Sequence, residues 1–402
     1  MITPAGRQRA PAALARGLPR GAALTAAGCL AAVWSVACAG AAGVAAPAGV
    51  ASPVTAYVVN QGSGTVTPIR VAGSRALKAI RVGNLPVAIA VTPDGKTAYV
   101  ANFGSAASGH SVTPIRTATN TALKPVGVGK GPGVIAITPD GKTAYVSNAV
   151  PNTVTPIRTA TNKALKPIKI GKRPPIPFPG QDPIAITPDG RTAYVANSSS
   201  DTVTPVRTSA NTALKPIKVA RGPQAIAITP DGKTAYVLSG DSNTVTPIRT
   251  ATNTALKPIR LGFASSEPVA IAITPDGRTA YVAVINFNGG TVTPIRTATN
   301  KVLKPIKIRS EPSVIAVTPD GKTAYVADDF STLMPIRIAT NTALKPIKVR
   351  AGPSAIAITP DSKAVYVVNS DAGTVTPVRT ATNTALKPIK VGRDPVAIAI
   401  TP

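Results

Sequence analysis

The chain has 402 residues, 44 % of them hydrophobic and only 3 % aromatic, enough for a substantial buried core. Its formal charge of +28 favours polyanionic partners or solubility and says nothing about fold. The only two cysteines, Cys29 and Cys38, fall in the first fifty residues, which excludes a disulfide or thiolate metal site from the rest of the chain.

Residues 1–51 differ in composition from everything after them. Arg7, Arg9, Arg16 and Arg20 make a basic, acid-free start, an apolar run follows from Gly21 to Gly40, and small residues such as Ala46-Pro47-Ala48 offer cleavage sites. That order is the order of a secretory signal peptide and predicts a secreted or cell-surface protein. No two Arg are adjacent, so a twin-arginine route is unsupported. The run is also long enough for an uncleaved membrane anchor. Cys38 is a lipidation candidate, although Ser35 three residues earlier fits a lipobox poorly.

Residues 52–402 are one motif repeated. Ile135–Val146 and Ile226–Val237 both read IAITPDGKTAYV, and Tyr-Val recurs from Tyr57 to Tyr366 at intervals of 41 to 49 residues. Each unit holds four short apolar segments, in the fifth unit Ala225–Pro230, Thr234–Leu238, Thr244–Arg249 and Ala255–Gly262. Their β-branched content and the turn chemistry between them predict strands. In Thr229-Pro230-Asp231-Gly232 the Pro suits a type I turn and the Gly the left-handed position after it. Asn253 in TATNT suits a second tight turn.

Four antiparallel strands repeated every 40–45 residues or so predict an all-β propeller. The first unit opens on a second strand, Thr55–Val59, and the last strand, Ala397–Pro402, is an innermost strand with nothing after it. The C-terminal strand is therefore expected to complete the first blade and close the ring. First strands and Tyr-Val strands both number eight, giving eight blades, with seven the alternative if one unit is incomplete.

With its Tyr-Val-x-Asn strands (YVVN, YVAN, YVSN), TPDG turns and TATNT turns, the chain resembles YVTN-repeat β-propellers of secreted and cell-surface bacterial and archaeal proteins. The resemblance spans about residues 54–402 and implies a propeller; it implies no shared catalytic residues. One departure stands out: the third strand in that family commonly ends in an acid, whereas here Arg ends it in every unit, from Arg70 to Arg379.

Divergence among the copies points to a functional face. The TPDG and TATNT turns hardly vary, while the second-to-third connection and the one between blades vary freely, which places the variable loops together on a top face. All eight Tyr lie in second strands and read as core. All five Phe (Phe103, Phe178, Phe263, Phe287, Phe330) and the single His110 lie in top loops. A loop Phe often covers a gap between blades; five on one face suggest a contact patch for a protein or glycan partner. Phe263, Phe287 and Phe330 are expected to be neighbours.

Nine of the sixteen acids lie in top loops, against seven basic residues there, so the excess positive charge belongs to the outer wall and bottom. The third-strand Arg, the first Lys of LKPIK and the base after the TPDG Gly are expected to converge on a bottom rim. Such a rim suits an anionic cell-wall polymer or anionic membrane surface. Nucleic acid fits poorly, because no stacking aromatics lie among the bases. The plain reading is that periodic Lys and Arg keep exposed strands from pairing.

The innermost strands carry no ionisable side chain, and His110 has no evident partner. Asp182, Glu267, Glu311 and Asp394 each precede the Pro that begins an innermost strand, which makes a Ca2+ site at the channel mouth one reading and four separate solvated carboxylates the other. The residues therefore lead to a non-enzymatic binding or scaffold module, without resident cofactor, anchored to an anionic envelope. Two alternatives remain open: a propeller enzyme of lactonase or streptogramin-lyase-like type with a metal at the channel mouth, and a structural surface-layer component.

Overall fold

The computed structural model describes residues 53–105, 109–171, 182–262, 266–287 and 289–402. The signal or anchor reading of residues 1–51, Cys29 and Cys38, and the loop residues Phe178 and Phe263, lie outside the described residues.

Eight antiparallel sheets form eight blades. In the fifth, Pro223–Ile228 lies innermost, Thr234–Ser239 beside it and Thr244–Arg249 third. The fourth strand differs from the sequence expectation. It breaks into two short pieces, Thr254–Ala255 and Ile259–Arg260, which pair with the lower and upper ends of the third strand. Both strands carry the cause. Pro247 sits mid-way along the third strand with no N–H to give, while its carbonyl accepts from Leu256 at 2.8 Å. Opposite it, Lys257-Pro258 leaves the ladder, so two prolines face a gap instead of two broken hydrogen bonds.

The ring closes as expected. Pro395–Ile400 pairs with Thr55–Asn60, placing Val58 opposite Ile398, and the Thr55 N–H donates to Thr401 Oγ1 at 2.9 Å. The first and last described strands thus share the first blade, and among the described residues no sheet keeps a long free inner edge.

Packing explains why the motif is copied so closely. Each second-strand Tyr is buried against the next blade; Tyr99, for example, clusters with Ile135, Val146 and Ile157. Its hydroxyl crosses the junction to Asn162 Oδ1 at 2.6 Å. That Asn is the left-handed residue of the TATNT-type turn, at φ 51°. The same Tyr-to-Asn bond joins seven of the eight junctions, at 2.5–2.7 Å. At the eighth, where blade eight meets blade one, Ser74 stands in place of Asn and lies 3.3 Å from Tyr366.

The bottom turns follow from TPDG itself. In blade five the Thr229 hydroxyl donates to Asp231 Oδ1 at 2.6 Å, the Lys233 N–H donates to the same oxygen at 3.0 Å, and Gly232 takes φ +70°. A Cβ on Gly232 would also meet Pro188 of the preceding turn at 3.3 Å, so glycine serves both conformation and ring packing. Burial alone would raise the Asp231 carboxyl, but the Thr229 hydroxyl, the Lys233 N–H and the Lys233 charge together hold it below its ordinary value.

Candidate active site

The top ends of the second strands show where the copies stop agreeing. In blades one to four the strand ends in a buried Asn that donates to strand-three hydroxyls, as Asn102 Nδ2 does to Ser111 Oγ at 3.1 Å and Thr113 Oγ1 at 2.9 Å. Asn369 repeats this in blade eight. Blades five, six and seven put Ser239, Val284 and Asp328 there instead. The partner threonines Thr246 and Thr293 keep buried hydroxyls without a protein partner, and in blade seven that Thr is replaced by Met334. Asp328, only 4 % exposed, folds its oxygen back on its own loop and accepts from the N–H groups of Phe330, Ser331 and Thr332 at 3.1, 2.9 and 2.7 Å.

That loop aims Asp329 and Phe330 outward. The Asp329 N–H donates to the Glu311 carbonyl at 3.3 Å, tying the hairpin to the segment that enters the channel strand. Asp329 is exposed yet partly desolvated by its surroundings, and this desolvation raises its carboxyl above its ordinary value. The nearby Ser313 hydroxyl works against the rise, and the Glu311 and Asp328 charges add to it. Ser313 is the second residue of its innermost strand, at the register shift between Pro312 and Val314. A bulge re-aims a side chain, and here the hydroxyl reaches towards the next blade, donating to the Pro353 carbonyl at 3.3 Å. Ser354 does likewise to the Pro395 carbonyl at 3.2 Å, and Gln224 to the Pro268 carbonyl.

Of the three aromatics expected to be neighbours, two are described, and both are exposed at the tops of adjacent blades. Phe287 is 93 % exposed at the tip of the blade-six hairpin and Phe330 65 % exposed on blade seven. The hairpin base packs on the entry to blade seven: a Cβ on Gly290 would fall 2.3 Å from Pro312 and 2.8 Å from the Ser310 carbonyl. Apolar rings and a raised carboxyl thus share the top of adjacent blades. Phe103 instead is half-buried, its ring against Gly131. His110 Nδ1 lies 2.6 Å from the Phe103 carbonyl and 3.2 Å from the Gly131 nitrogen, stapling its loop to the entry of blade three.

The four mouth acids stand on four different blades. Asp182 is buried and accepts from the Ser198 N–H and hydroxyl, both at 3.3 Å. Glu267 pairs opposite Ile285 at the start of its strand and is exposed. Glu311 lies beside Asp329, and Asp394 packs on Gly62 at the ring seam. Among the described residues no three His, Cys, Asp or Glu form a group that could hold a metal ion. A concavity of about 440 Å3 opens to solvent on the outer wall between blades three and four, lined by Lys169, Ser200, Thr202 and Leu214 among others. Its described lining holds no carboxylate or imidazole, so the blade-seven cluster is the better candidate for chemistry.

The sequence alone put Glu311 among the mouth acids and Phe330 in the contact patch, and singled out neither Asp329 nor Ser313. The signal was present as a departure from the repeat, YVADDF where five of the other units read Tyr-Val-x-Asn.

The family described as Lactonase, 7-bladed beta-propeller matches residues 116–273, less than half of the chain, from the end of the third strand in blade two to the innermost strand of blade six. No curated protein matches the sequence. Among solved structures, a chain of Kuenenia stuttgartiensis hydrazine synthase is 26 % identical over 74 % of this chain and 96 % of its own, with a TM-score of 0.60. The dihydro-heme d1 dehydrogenase NirN is 15 % identical over 89 % of this chain and 77 % of its own, at 0.71. A Bacteroides fragilis protein provisionally assigned as a 6-phosphogluconolactonase is 17 % identical over 89 % and 100 %, at 0.59. At such low identities the last two share the fold and no more. The protein is therefore an all-β, eight-bladed propeller. The match to a lactonase family corrects the expectation of a non-enzymatic binding or scaffold module, and favours the enzyme alternative of lactonase type. The earlier expectation weighed the apolar innermost strands too heavily; the polar groups enter from the strand tops and hairpins.

Proposed function

We propose that the chain is a hydrolase of lactonase type, opening a cyclic ester at the top of blades six and seven on a frame of YVTN-type repeats. The lactonase-family match carries this reading, and the Asp329 carboxyl supports it with the chemistry required. Asp329 lies outside the matched residues, so its role rests on geometry. A lactone carbonyl is attacked by water, and a carboxylate whose proton affinity is raised is a better general base than an ordinary one. The Ser313 hydroxyl lies near that carboxylate, while Phe287 and Phe330 offer apolar surface to the ring or its substituent. The basic start and the apolar run from Gly21 to Gly40 support export, so the reaction would run outside the cytoplasm.

The test is hydrolysis of a panel of five- and six-membered lactones by the intact chain and by Asp329→Asn. The substitution should cost about 100- to 10,000-fold in rate, the usual worth of a general base. Thermal unfolding should be unchanged, because Asp329 has an exposed edge. Activity of the intact chain should fall as pH drops through the Asp329 carboxyl value, which is raised above that of an ordinary Asp. Absence of turnover across the panel, or full activity in Asp329→Asn, would refute the assignment.

A further inference from the structure

The seven base-to-acid pairs at the bottom turns change the meaning of the charge excess. Each base after the TPDG Gly sits 3.5–3.9 Å from its own turn Asp. Those charges cancel locally, so the bottom is not the basic rim the sequence suggested. The uncancelled charge stands on the outer wall in three tiers. Arg ends every third strand at the lower edge, from Arg70 to Arg379. The Lys of each Leu-Lys pair projects at mid-height, where the preceding Leu bonds the mid-strand Pro, as Leu214 does Pro205 at 2.8 Å. A Lys or Arg ends the upper outer piece in seven blades, such as Lys218 and Arg260. All of these side chains are exposed. Every acid of the chain is in a bottom turn or a top segment, so the wall carries none.

Neighbouring blades join the tiers. The upper outer piece of one blade touches the lower outer piece of the next, as Ile168–Lys169 touches Thr212–Ala213, whose Thr212 pairs with Arg207. The same contact recurs at seven of the eight junctions. Cations therefore follow one another around the wall and across its height, about 16 Å for six residues at ~3.3 Å each.

We propose that the outer wall is a binding surface for a flexible linear polyanion that carries no bases. The shape and side chains select that partner. The cations surround a convex wall, so a flat anionic membrane touches only a sector of them. Duplex DNA, stiff over about 150 base pairs, cannot follow the curve. Single-stranded nucleic acid needs stacking aromatics, and here every Tyr is buried while the described Phe stand on top. A pliant chain of phosphates or carboxylates meets Arg forks and Lys point charges without either demand. This surface is separate from the blade-seven site.

Affinity of the full chain for long-chain inorganic polyphosphate and for polyglutamate across a salt series tests the proposal, the two probes separating phosphate from carboxylate chemistry. Contacts to six cations over two blades predict a log–log salt slope near −4, a loss of roughly 200-fold or more between 50 and 200 mM salt. Neutralising the Lys of all eight Leu-Lys pairs to Gln removes the middle tier from every sector of the wall and should flatten that slope. Neutralising the paired Lys142, Lys233 and Lys322 should leave it nearly unchanged. Binding to neither polymer, a salt-independent signal, equal effects of the two variants, or tighter binding to duplex DNA or anionic vesicles would overturn it.

Discussion

The junction between blades eight and one should be the weakest in the ring, and one substitution should mend it. Elsewhere a Tyr hydroxyl donates to a left-handed Asn at 2.5–2.7 Å. Here Tyr366 lies 3.3 Å from both Ser74 Oγ and the Val71 carbonyl. Ser74 also holds φ 47°, a conformation that Asn tolerates better than Ser. Ser74→Asn brings the amide oxygen within a full hydrogen bond, worth about 0.5–1.5 kcal/mol net. Relief of backbone strain adds some tenths, for about 1–2 kcal/mol in all. In urea the midpoint should rise with an unchanged slope, and unfolding should slow if the ring opens first at this seam. Asn253→Ser, which copies the seam into an ordinary junction, should lower the midpoint by a similar amount. The gain must vanish in a Tyr366→Phe background. A gain that survives there, or no gain at all, would refute the hydrogen-bond account.

Three other outcomes follow from the same structure. Burial pushes Tyr57, Tyr99, Tyr145, Tyr194, Tyr236, Tyr281 and Tyr325 up to about 12, so the folded state holds these protons more tightly than the unfolded chain does near 10. Their contribution to stability is complete below pH 10 and is lost as pH rises towards 12; phenolate absorbance should appear together with unfolding, not before it. The turn carboxyls Asp94, Asp140, Asp189, Asp231, Asp276, Asp320 and Asp361 are lowered, so their contribution is present above the ordinary Asp value and is lost as pH falls through the lowered one. An acid transition that is unmoved by Asp231→Asn and Asp276→Asn together would contradict this. Thr293→Val, which removes a buried hydroxyl without a protein partner, should be neutral or stabilising, whereas Thr113→Val, which takes an acceptor from Asn102, should cost about 1–3 kcal/mol by urea titration.

The propeller was legible because its signals are local and repeated. Strand length, the Pro-Asp-Gly turn and the Tyr-Val spacing each recur in near-identical form, and blade count and ring closure follow from them. The Tyr-to-Asn bridges were not legible, because 58 or more residues separate the partners, 66 for Tyr145 and Asn211, and only the ring places them together. The break in the fourth strand was in principle visible in LKPIK, whose Pro cannot donate to a ladder. The active-site candidate was half legible. Acids before the channel strands drew attention to Glu311, but the decisive carboxyl is one hairpin away, and its raised proton affinity comes from desolvation that no spacing reveals.

Symmetry explains why the candidate site sits where the repeat fails. Eight equal blades present eight equal surfaces, and equal surfaces cannot orient one asymmetric ligand. The buried Asn–Thr pairs of blades one to four and eight hold their hairpins in one arrangement. In blade seven that pair becomes Asp328 and Met334, so the amide no longer reaches strand three and the Asp328 carboxylate instead caps its own loop. The exchange turns Asp329 and Phe330 outward beside Glu311 and Ser313, on a frame that the other blades keep rigid. A chain built by copying gains a distinct chemical centre at the smallest structural cost when it alters one hairpin top and leaves the junctions alone.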